Sequence, residues 1–569
     1  MIVARSRALE GAARWGRLRA AAVPLGLLLL AAALRLPDLA TRGTWDGDQG
    51  HDMLMLRALV GDGVVPLLGP PTSIGDVHHG ALYYYLLAPA AALTGGDSPL
   101  AVVALIALAG TAAVLVTWWL ARSIAGPVAG FVAGLAMAIS PAAIDESTFI
   151  WNPNLIALSS AVALAGAWHA WTTRRPIWWL VAAAGTAVTM QSHVLGVTLL
   201  PVIGALLLAD AWRRGGEAGR GVGAPEPGGR TAVIRAGVAG LGLIALTFLP
   251  LAIHELTTDF AEVNAALAYL RAGGDPPAQG PLGRLVFIGT RVVSWPLVGL
   301  IVDGLAAAVF SLVAVIAIAA WRGVVGRGDE RTAVRWLGLG LAWTALVLTF
   351  ASPSLAVVVR GLPNDHYHAF ADPMVFVLVG IGAAALWRAV PRARPGVPAG
   401  KEGHGESEAR RQVASGVLTP GRLIAIAGML ALVAWAATHL PPAVHRDGGF
   451  PAAAGAADRI EAVVGPGPID LRSLPQFKSV EAYAYPLVRS GRHLQLGADV
   501  GEATLTHDGA AAGPASLVVI CDSLFEPVIG AACGGPAEAT ILPAGVGDPI
   551  DRFEAAPGRV ISIYRVGPP

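Results

Sequence analysis

The sequence has few charged residues, which occupy 14% of its 569 positions. Soluble domains carry about 25% charged residues, whereas 54% of this chain is hydrophobic and its apolar residues cluster in long runs. This composition excludes an ordinary soluble protein and predicts one that crosses a membrane several times. The formal net charge of +1 lacks the basic excess of nucleic-acid-binding proteins, so we expect the lipid bilayer, and no nucleic acid, as a partner.

Cysteine is nearly absent: Cys521 and Cys533 are the only two, and both lie near the C-terminus. Structural zinc sites take about four nitrogen or sulfur ligands, and this pair has too few further ligands nearby. Outside the cytoplasm the two cysteines are able to form a disulfide. Two free buried thiols fit the sequence equally well, so both states stay open at this point.

Eleven apolar segments approach the length of about 20 residues that a transmembrane helix needs. We predict spans at residues 20–40, 99–120, 126–143, 154–171, 177–193, 195–212, 232–253, 303–321, 334–351, 370–388 and 421–438.

Two further apolar stretches are not counted as spans. Arg291 and Pro296 interrupt residues 284–300, which therefore predict an interfacial or re-entrant helix. Residues 80–93 are too short to cross the bilayer and predict a helix along its outer face. Three consecutive tyrosines at positions 83–85 are interpreted as anchors at the lipid headgroup level, where amphipathic rings concentrate.

Arginine is distributed unevenly between alternate loops. With a cytoplasmic N-terminus, every inner loop contains arginine, whereas the outer loops, apart from the helix at 284–300, contain only Arg42, Arg57, Arg271 and Arg360. Cytoplasmic loops carry the excess of Lys and Arg, so this pattern predicts that residues 41–98 lie outside the cytoplasm. The Ala-, Gly- and Arg-rich composition is typical of a GC-rich bacterium, and we expect a multi-pass protein of the inner (plasma) membrane.

The chain divides into two predicted domains. Residues 1–438 form an α-helical polytopic membrane domain with about 11 transmembrane helices, in which outer loop one (41–98) contains interfacial helices. The Gly-, Arg- and Glu-rich segment 389–420 is predicted to be a disordered cytoplasmic loop. Residues 439–569 are richer in Pro and acidic residues. Their β-like runs ASLVVICD, ATILPA and RVISIYRV predict a small extracytoplasmic α/β domain.

Reactive side chains collect on the predicted outer face, whereas the inner face offers little beyond arginine. Outer loop one contains Asp46, Asp48 and Asp52, which are either simply solvated or part of a site. Other acids, imidazoles and a guanidinium fall on the same side: His78, His79, Asp145, Glu146, Glu255, Arg360, His366 and Tyr367. Their common side predicts a functional site at the outer ends of the helices.

Five motifs occur in a defined order along the membrane portion: WDGDQGHD, LLGPPTSIGDVHHGALYYYLLAP, SPAAIDESTFIWNPN, LPLAIHELTTDF and DHYHAFADP. In this order they resemble the membrane glycosyltransferases of the GT-C fold, specifically glycosyltransferase family 39. That family includes the protein O-mannosyltransferases and the bacterial lipid A aminoarabinose transferases. The resemblance implies transfer of a sugar, with inversion, from a polyprenyl-phosphate donor to an extracytoplasmic glycan, lipid or protein acceptor.

The resemblance also implies that Asp48 is the general base. Gln49 stands where relatives often have a second acid, so Asp46 is assigned the supporting catalytic role. A positioned carboxylate that removes the proton of an attacking hydroxyl contributes about 10²–10⁴-fold to the rate. This chemistry is consistent with the assignment that the resemblance implies.

The leaving phosphate needs positive or hydrogen-bonding partners. Arg360 is the first candidate, because a guanidinium pairs with phosphate through a rigid fork. The other candidates for binding the donor phosphate or the substrate are His366, Tyr367, His78, His79, Asp145, Glu146 and Glu255. No cofactor is assigned with certainty, and a divalent metal ion held by His78 and Glu255 stays open.

Two other functions compete with the transferase. A polytopic lipid or glycan transporter, or flippase, would need polar or broken helices near the membrane midplane, commonly within repeats, and we find no convincing repeat. A non-catalytic scaffold would use residues 439–569 to bind cell-wall polymers.

Overall fold

The structure, a computed structural model of the chain, is mostly helical. It describes residues 21–72, 77–218, 229–272, 279–358, 366–388, 418–476, 480–492, 494–496 and 516–566. The predicted disordered loop 389–420 lies outside the described residues, except for its last three positions.

The membrane portion is built from helices. In chain order they are α1 (Ala21–Arg35), α2 (Gly47–Arg57), α3 (Leu82–Ala92), α4 (Pro99–Ala125), α5 (Pro127–Ile139), α6 (Pro141–Asp145), α7 (Ile156–Thr173), α8 (Ile177–Ser192), α9 (Leu199–Ala218), α10 (Arg230–Thr247), α11 (Leu249–Thr257), α12 (Ala261–Ala272), α13 (Pro281–Val298), α14 (Leu305–Val325), α15 (Gly328–Ala351), α16 (Asp372–Arg388) and α17 (Pro420–His439).

All eleven predicted spans coincide with helices, namely α1, α4, α5, α7 to α10 and α14 to α17. Within the described part of the chain, eight helical segments are long and apolar enough to cross a membrane, and α1 and α5 are shorter apolar helices. The polytopic helical membrane fold is therefore confirmed, while the count of eleven spans and their orientation stay predictions.

Glycine and proline separate α4 from α5. Gly126 has φ 89°, a conformation that glycine adopts without the penalty a side chain would bring. Pro127 then begins α5, because the first turn of a helix does not need the missing N–H. The two helices consequently fold back on each other and pack along their length.

The two apolar stretches that we did not count as spans are also helical. Helix α13 packs against α14, α15 and α16, and Arg291 donates to the carbonyl of Leu355 at 2.9 Å. Helix α3 is short, as predicted. The interpretation of the three tyrosines as headgroup anchors is wrong for Tyr83 and Tyr84, which are fully buried. Their hydroxyls donate to the buried carboxylate of Asp52, which satisfies them inside the protein.

Seven short strands occur in the described residues. Strands β1 (Leu68–Pro71) and β2 (His78–Gly80) pair antiparallel within loop one. The C-terminal region contains α18 (Gly449–Val464), β3 (Ile469–Leu474), α19 (Val480–Arg489), β4 (Leu494–Leu496), β5 (Ser516–Asp522), α20 (Glu526–Ile529), β6 (Asp551–Ala556) and β7 (Arg559–Arg565). Its sheet has the order β4-β3-β5-β7-β6, with β3 parallel to β4 and β5, and β7 antiparallel to β5 and β6.

The small C-terminal α/β domain is therefore confirmed, and the runs ASLVVICD and RVISIYRV form β5 and β7. The prediction of a strand at ATILPA is wrong, since these residues form a 3-10 turn and a loop. The carboxylate of Glu538 accepts from the backbone N–H groups of Gly534 and Gly535, which stabilises that turn. Cys521 and Cys533 form a disulfide.

The C-terminal domain packs directly on outer loop one. The indole N–H of Trp45 donates to the carbonyl of Ala482 at 2.8 Å, and the Tyr485 hydroxyl donates to the carbonyl of Gly96 at 2.9 Å. A Cβ placed on Gly50 would lie 2.0 Å from the carbonyl oxygen of Glu481. Helices α2 and α19 therefore meet at backbone contact distance, which only a glycine at position 50 permits.

We expect Gly50→Ala to weaken this contact, because the new methyl group collides with backbone atoms that cannot rotate away. Overpacking of this kind costs about 1–3 kcal/mol, so the thermal midpoint of the detergent-purified protein should fall. Gly26→Ala in α1 is the matched control, since open space surrounds that position. An equal midpoint for both variants would contradict the predicted close approach.

Candidate active site

Helix α2 carries the acids of the first motif. Asp46 caps the helix: its carboxylate accepts from the N–H of Gly47 at 2.8 Å, and the Gln49 side chain accepts from the N–H of Asp46 at 2.8 Å. This is a capping box, which satisfies N–H groups that a helix start leaves unpaired. Asp48 lies exposed in the first turn, where the helix dipole favours a negative charge.

Gln49 connects α2 to residues 144–153, the second outer loop of the predicted topology. Its side-chain amide donates to the carbonyl of Ile150 at 2.8 Å, and its side chain is buried. A glutamate at position 49 would place a carboxylate against this carbonyl oxygen and could not donate the hydrogen bond that the glutamine amide makes. The departure from the two-acid pattern of the resembled family thus has a structural role here.

Asp46 is also held by the C-terminal domain. The Arg559 guanidinium lies 3.2 Å from a carboxylate oxygen of Asp46 and 3.4 Å from one of Asp522. It also donates to the carbonyl of Trp45 at 3.4 Å. A residue of the last strand therefore holds the start of the helix that presents Asp48.

A buried polar cluster supports α2 from behind. The hydroxyls of Tyr83 and Tyr84 donate to Asp52 at 2.7 and 2.9 Å, while His51 lies 2.7 Å from Glu481 of α19. Burial raises the pKa of Asp52 to about 7, against the opposing effects of His51 and the two tyrosine hydroxyls. Burial would lower the pKa of His51, but attraction to Glu481 and their hydrogen bond prevail and raise it to about 9.

A stack of aromatic rings lies beside the second outer loop. The ring of His193 lies 4.5 Å from that of His79 and stacks on that of Tyr367 at 4.4 Å, and Trp151 lies 5.8 Å beyond. Burial, with a smaller effect of His78, lowers the pKa of His79 to about 3, so this imidazole is neutral at physiological pH. The stack brings loop one, the α8 terminus and the DHYHAFADP segment together.

His78 points away from His79, as expected for neighbouring residues of a strand. Its ring nitrogen lies 2.8 Å from Glu262 of α12, whose carboxylate also accepts from the His78 N–H at 2.7 Å. Glu255 does not contact His78 in this arrangement. Its carboxylate accepts from the N–H groups of Glu262 and Val263, which caps α12.

A group of buried ionisable side chains lies just before α16 and at its first residue. His366 lies 2.9 Å from Asp372 and 3.6 Å from Glu146, and the ring of Trp295 stacks on it at 5.2 Å. Burial alone would lower the pKa of His366, but Asp372 and Glu146 attract its proton and raise the pKa to about 10. His368 lies alongside, with its ring 5.1 Å from that of His366.

Asp145 borders the same group. Burial and the neighbouring Glu146 raise its pKa to about 7, and this effect exceeds the opposite influence of His445, Arg42 and His366. A carboxyl with this pKa exchanges its proton near neutral pH.

The structure thus brings most of the predicted site residues to one face of the helices. Residues 148–154 connect α2, through Gln49 and Ile150, to the aromatic stack and so to the group at α16. His78 and Glu255 contact α12 instead of this group. Arg360 lies outside the described residues.

Sequence reasoning missed several residues of this region. Asp372 belongs to the DHYHAFADP motif, and its place there could have identified it as a candidate site residue. Glu262, Glu481 and Arg559 had no such signal, because they are distant in sequence from the residues they contact.

Known proteins resemble this chain in part of its sequence and in its fold. Residues 78–216 match the family model described as dolichyl-phosphate-mannose-protein mannosyltransferase. The crystal structure of ArnT from Cupriavidus metallidurans in the apo state aligns with a TM-score of 0.56 at 14% identity, covering 97% of this chain and 98% of ArnT. ArnT bound to undecaprenyl phosphate aligns with a TM-score of 0.53 at 13% identity, covering 96% and 98%. No curated protein sequence matches significantly.

ArnT is an aminoarabinose transferase, one of the enzymes that the sequence motifs resemble. The alignment extends over nearly the full length of both chains, including the C-terminal domain. This chain therefore has the GT-C fold of membrane glycosyltransferases, and the resemblance is confirmed at that level. Identity of 14% establishes the fold alone.

The His51–Glu481 pair predicts a pH-dependent stability. Because the pKa of His51 is higher in the folded than in the unfolded state, its protonation stabilises the fold fully at pH values below the unfolded pKa of about 6.5. This stabilisation is lost as the pH rises through about 9. His51→Gln should therefore lower the thermal midpoint below pH 6.5 and have progressively less effect towards and above pH 9. Glu481→Gln should give the same pH profile, because it removes the other partner. A His51→Gln deficit that is constant across this range would contradict the assignment.

Proposed function

We propose that this protein is an integral membrane glycosyltransferase that transfers a sugar from a polyprenyl-phosphate donor to an acceptor on the side of loop one, with inversion. The observation that carries the proposal is the convergence of loop one, residues 148–154 and residues 366–372 on one face of a GT-C fold. The match of residues 78–216 to a mannosyltransferase family model supports the reaction class.

Asp48 is the proposed general base. It is an exposed residue in the first turn of a helix that the capping box and Arg559 hold in place. In the proposed step, an acceptor hydroxyl oxygen forms a bond with the anomeric carbon as its proton passes to Asp48. The bond from that carbon to the phosphate oxygen breaks, and its electron pair leaves with the polyprenyl phosphate.

Asp46 supports this step indirectly in our proposal. Its carboxylate is engaged by Gly47 and Arg559, so it positions α2 rather than taking a second proton. Asp52 is buried beneath the helix and is hydrogen-bonded to two tyrosines. Asp48 is consequently the acid of this motif that is best placed to meet an incoming acceptor.

The donor must reach the site from the bilayer. A polyprenyl chain is too apolar to leave the membrane, whereas its phosphate and sugar belong at the headgroup level. We assign the phosphate to Arg360, Tyr367, His78 and His79, and the sugar or acceptor to the surroundings of Asp145, Glu146 and Glu255. The sequence-based assignment of His366 to the phosphate is not kept, because both of its ring nitrogens face buried carboxylates. Undecaprenyl phosphate bound to ArnT is consistent with such a carrier. We further propose an inner (plasma) membrane location in bacteria, with loop one and residues 439–569 outside the cytoplasm.

The test is Asp48→Asn, which preserves the shape of the side chain and removes the base. We expect this variant to consume polyprenyl-phosphate sugars about 10²–10⁴-fold more slowly. Mass analysis of the lipid-linked sugar in native membranes measures that consumption. Asp62→Asn is the matched control, because Asp62 is an exposed acid of the same loop. Its turnover should equal that of the unmodified protein.

Undiminished turnover by a folded Asp48→Asn variant would overturn the assignment of the base. A wild-type protein that consumes none of a panel of prenyl-linked hexoses and pentoses, yet moves them across vesicle membranes, would instead support the transporter.

A further inference from the structure

Three separate parts of the chain enclose a small group of buried ligand-type side chains. His366 and His368 come from the segment before α16, and Asp372 is the first residue of that helix. Glu146 comes from the second outer loop, and Trp295 from α13. Each of the four ionisable side chains is at most 6% exposed. Two imidazoles and two carboxylates at this depth need partners, because an unpaired buried charge is strongly destabilising.

Several polar atoms of this group have no hydrogen-bond partner. Both ring nitrogens of His368 are unpaired, although its side chain is fully buried. One carboxylate oxygen of Asp372 and one of Glu146 are also buried and unpaired. Buried polar atoms are paired in the great majority of cases, so four such atoms within one small group indicate a missing ligand.

The distances fit a metal ion. Ligand atoms of His366, His368 and Asp372 all lie within 4.8 Å of one another. His366 Nε2 is 2.9 Å from Asp372 Oδ2, and His368 Nδ1 is 4.0 Å from Asp372 Oδ1. Tetrahedral zinc with bonds of about 2.1 Å holds its ligand atoms roughly 3.4 Å apart, a value between these two distances.

Glu146 has a different geometry. It lies 3.6 Å from Nδ1 of His366, the nitrogen opposite the one that faces Asp372. Histidines that bind a metal through one nitrogen usually donate their other N–H to a carboxylate or a carbonyl, which fixes the ring orientation. Glu146 is placed to accept that bond, and the Trp295 ring, stacked at 5.2 Å, restricts rotation of the imidazole.

We propose that His366, His368 and Asp372 bind a divalent transition-metal ion such as Zn²⁺, with Glu146 as the carboxylate that orients His366. The ligand set of two imidazoles and one carboxylate suits zinc and related ions better than Mg²⁺ or Ca²⁺, which prefer oxygen ligands. The two positive charges of the ion balance the two buried carboxylates of Asp372 and Glu146.

Three protein ligands leave a fourth position open. A cavity of about 20 Å³, lined among others by Glu146, His366 and Asp372, adjoins the group, and a water molecule needs about 10–15 Å³. The fourth ligand is therefore water or a small oxygen group that enters through this cavity. The inference concerns a site of this chain and does not depend on the proposed transfer reaction.

The test measures zinc bound to the full-length protein in detergent. After chelator treatment, Zn²⁺ loading and desalting, elemental analysis should find equimolar zinc, and Co²⁺ loading should give the visible absorption of a tetrahedral site. His368→Gln and Asp372→Asn remove one ligand each and should weaken the zinc Kd by more than about 100-fold. Glu146→Gln should weaken it less, by about 10–100-fold, as expected for an orienting partner.

His439→Ala is the matched control, since this exposed histidine at the end of α17 stacks on Trp435 far along the chain from the group. It should bind zinc as the wild type does. Zinc should also raise the thermal midpoint of the wild type and of His439→Ala but leave His368→Gln unchanged. Zinc content in the wild type no higher than in His368→Gln and Asp372→Asn would overturn the proposal.

Discussion

The contact between helix α2 and the C-terminal domain organises the face of this protein that contains loop one. Gly50 brings the backbone of α2 against Glu481, and Arg559 reaches Asp46 at the helix start. One apolar cluster includes buried residues of loop one, the N-terminal part of α4 and the C-terminal sheet and helices. The position of Asp48 thus depends on packing contributed by residues more than four hundred positions away in the sequence.

Polar side chains on this face are arranged in pairs and stacks. Asp52 has two tyrosine hydroxyls, His51 has Glu481, and His78 has Glu262. Such pairing is required, because burying a polar group without a partner costs free energy. The group at α16 differs from these pairs, since four of its buried polar atoms, including both ring nitrogens of His368, lack a hydrogen bond. Satisfied groups support the scaffold, and the unsatisfied group indicates where a ligand belongs.

Much of the fold was predictable from the sequence, because a bilayer imposes simple requirements. Every backbone polar group in the hydrocarbon must be satisfied within its own segment, so long apolar runs become helices. All eleven predicted spans are accordingly helical, and β5 and β7 were predictable from their β-branched residues. ATILPA has a similar composition but forms a turn, since Glu538 hydrogen-bonds to two glycines that precede it.

The sequence by itself determined the membrane class, the helical segments and the motifs that meet on one face, because hydropathy and local order act over short distances. Only the tertiary structure decided which side chains touch. It joined His78 to Glu262 rather than Glu255, turned Tyr83 and Tyr84 inward to Asp52, and gathered Glu146, His366, His368 and Asp372 around one point. Such partnerships depend on how helices cross and how close their backbones approach, and no local pattern of residues encodes those distances.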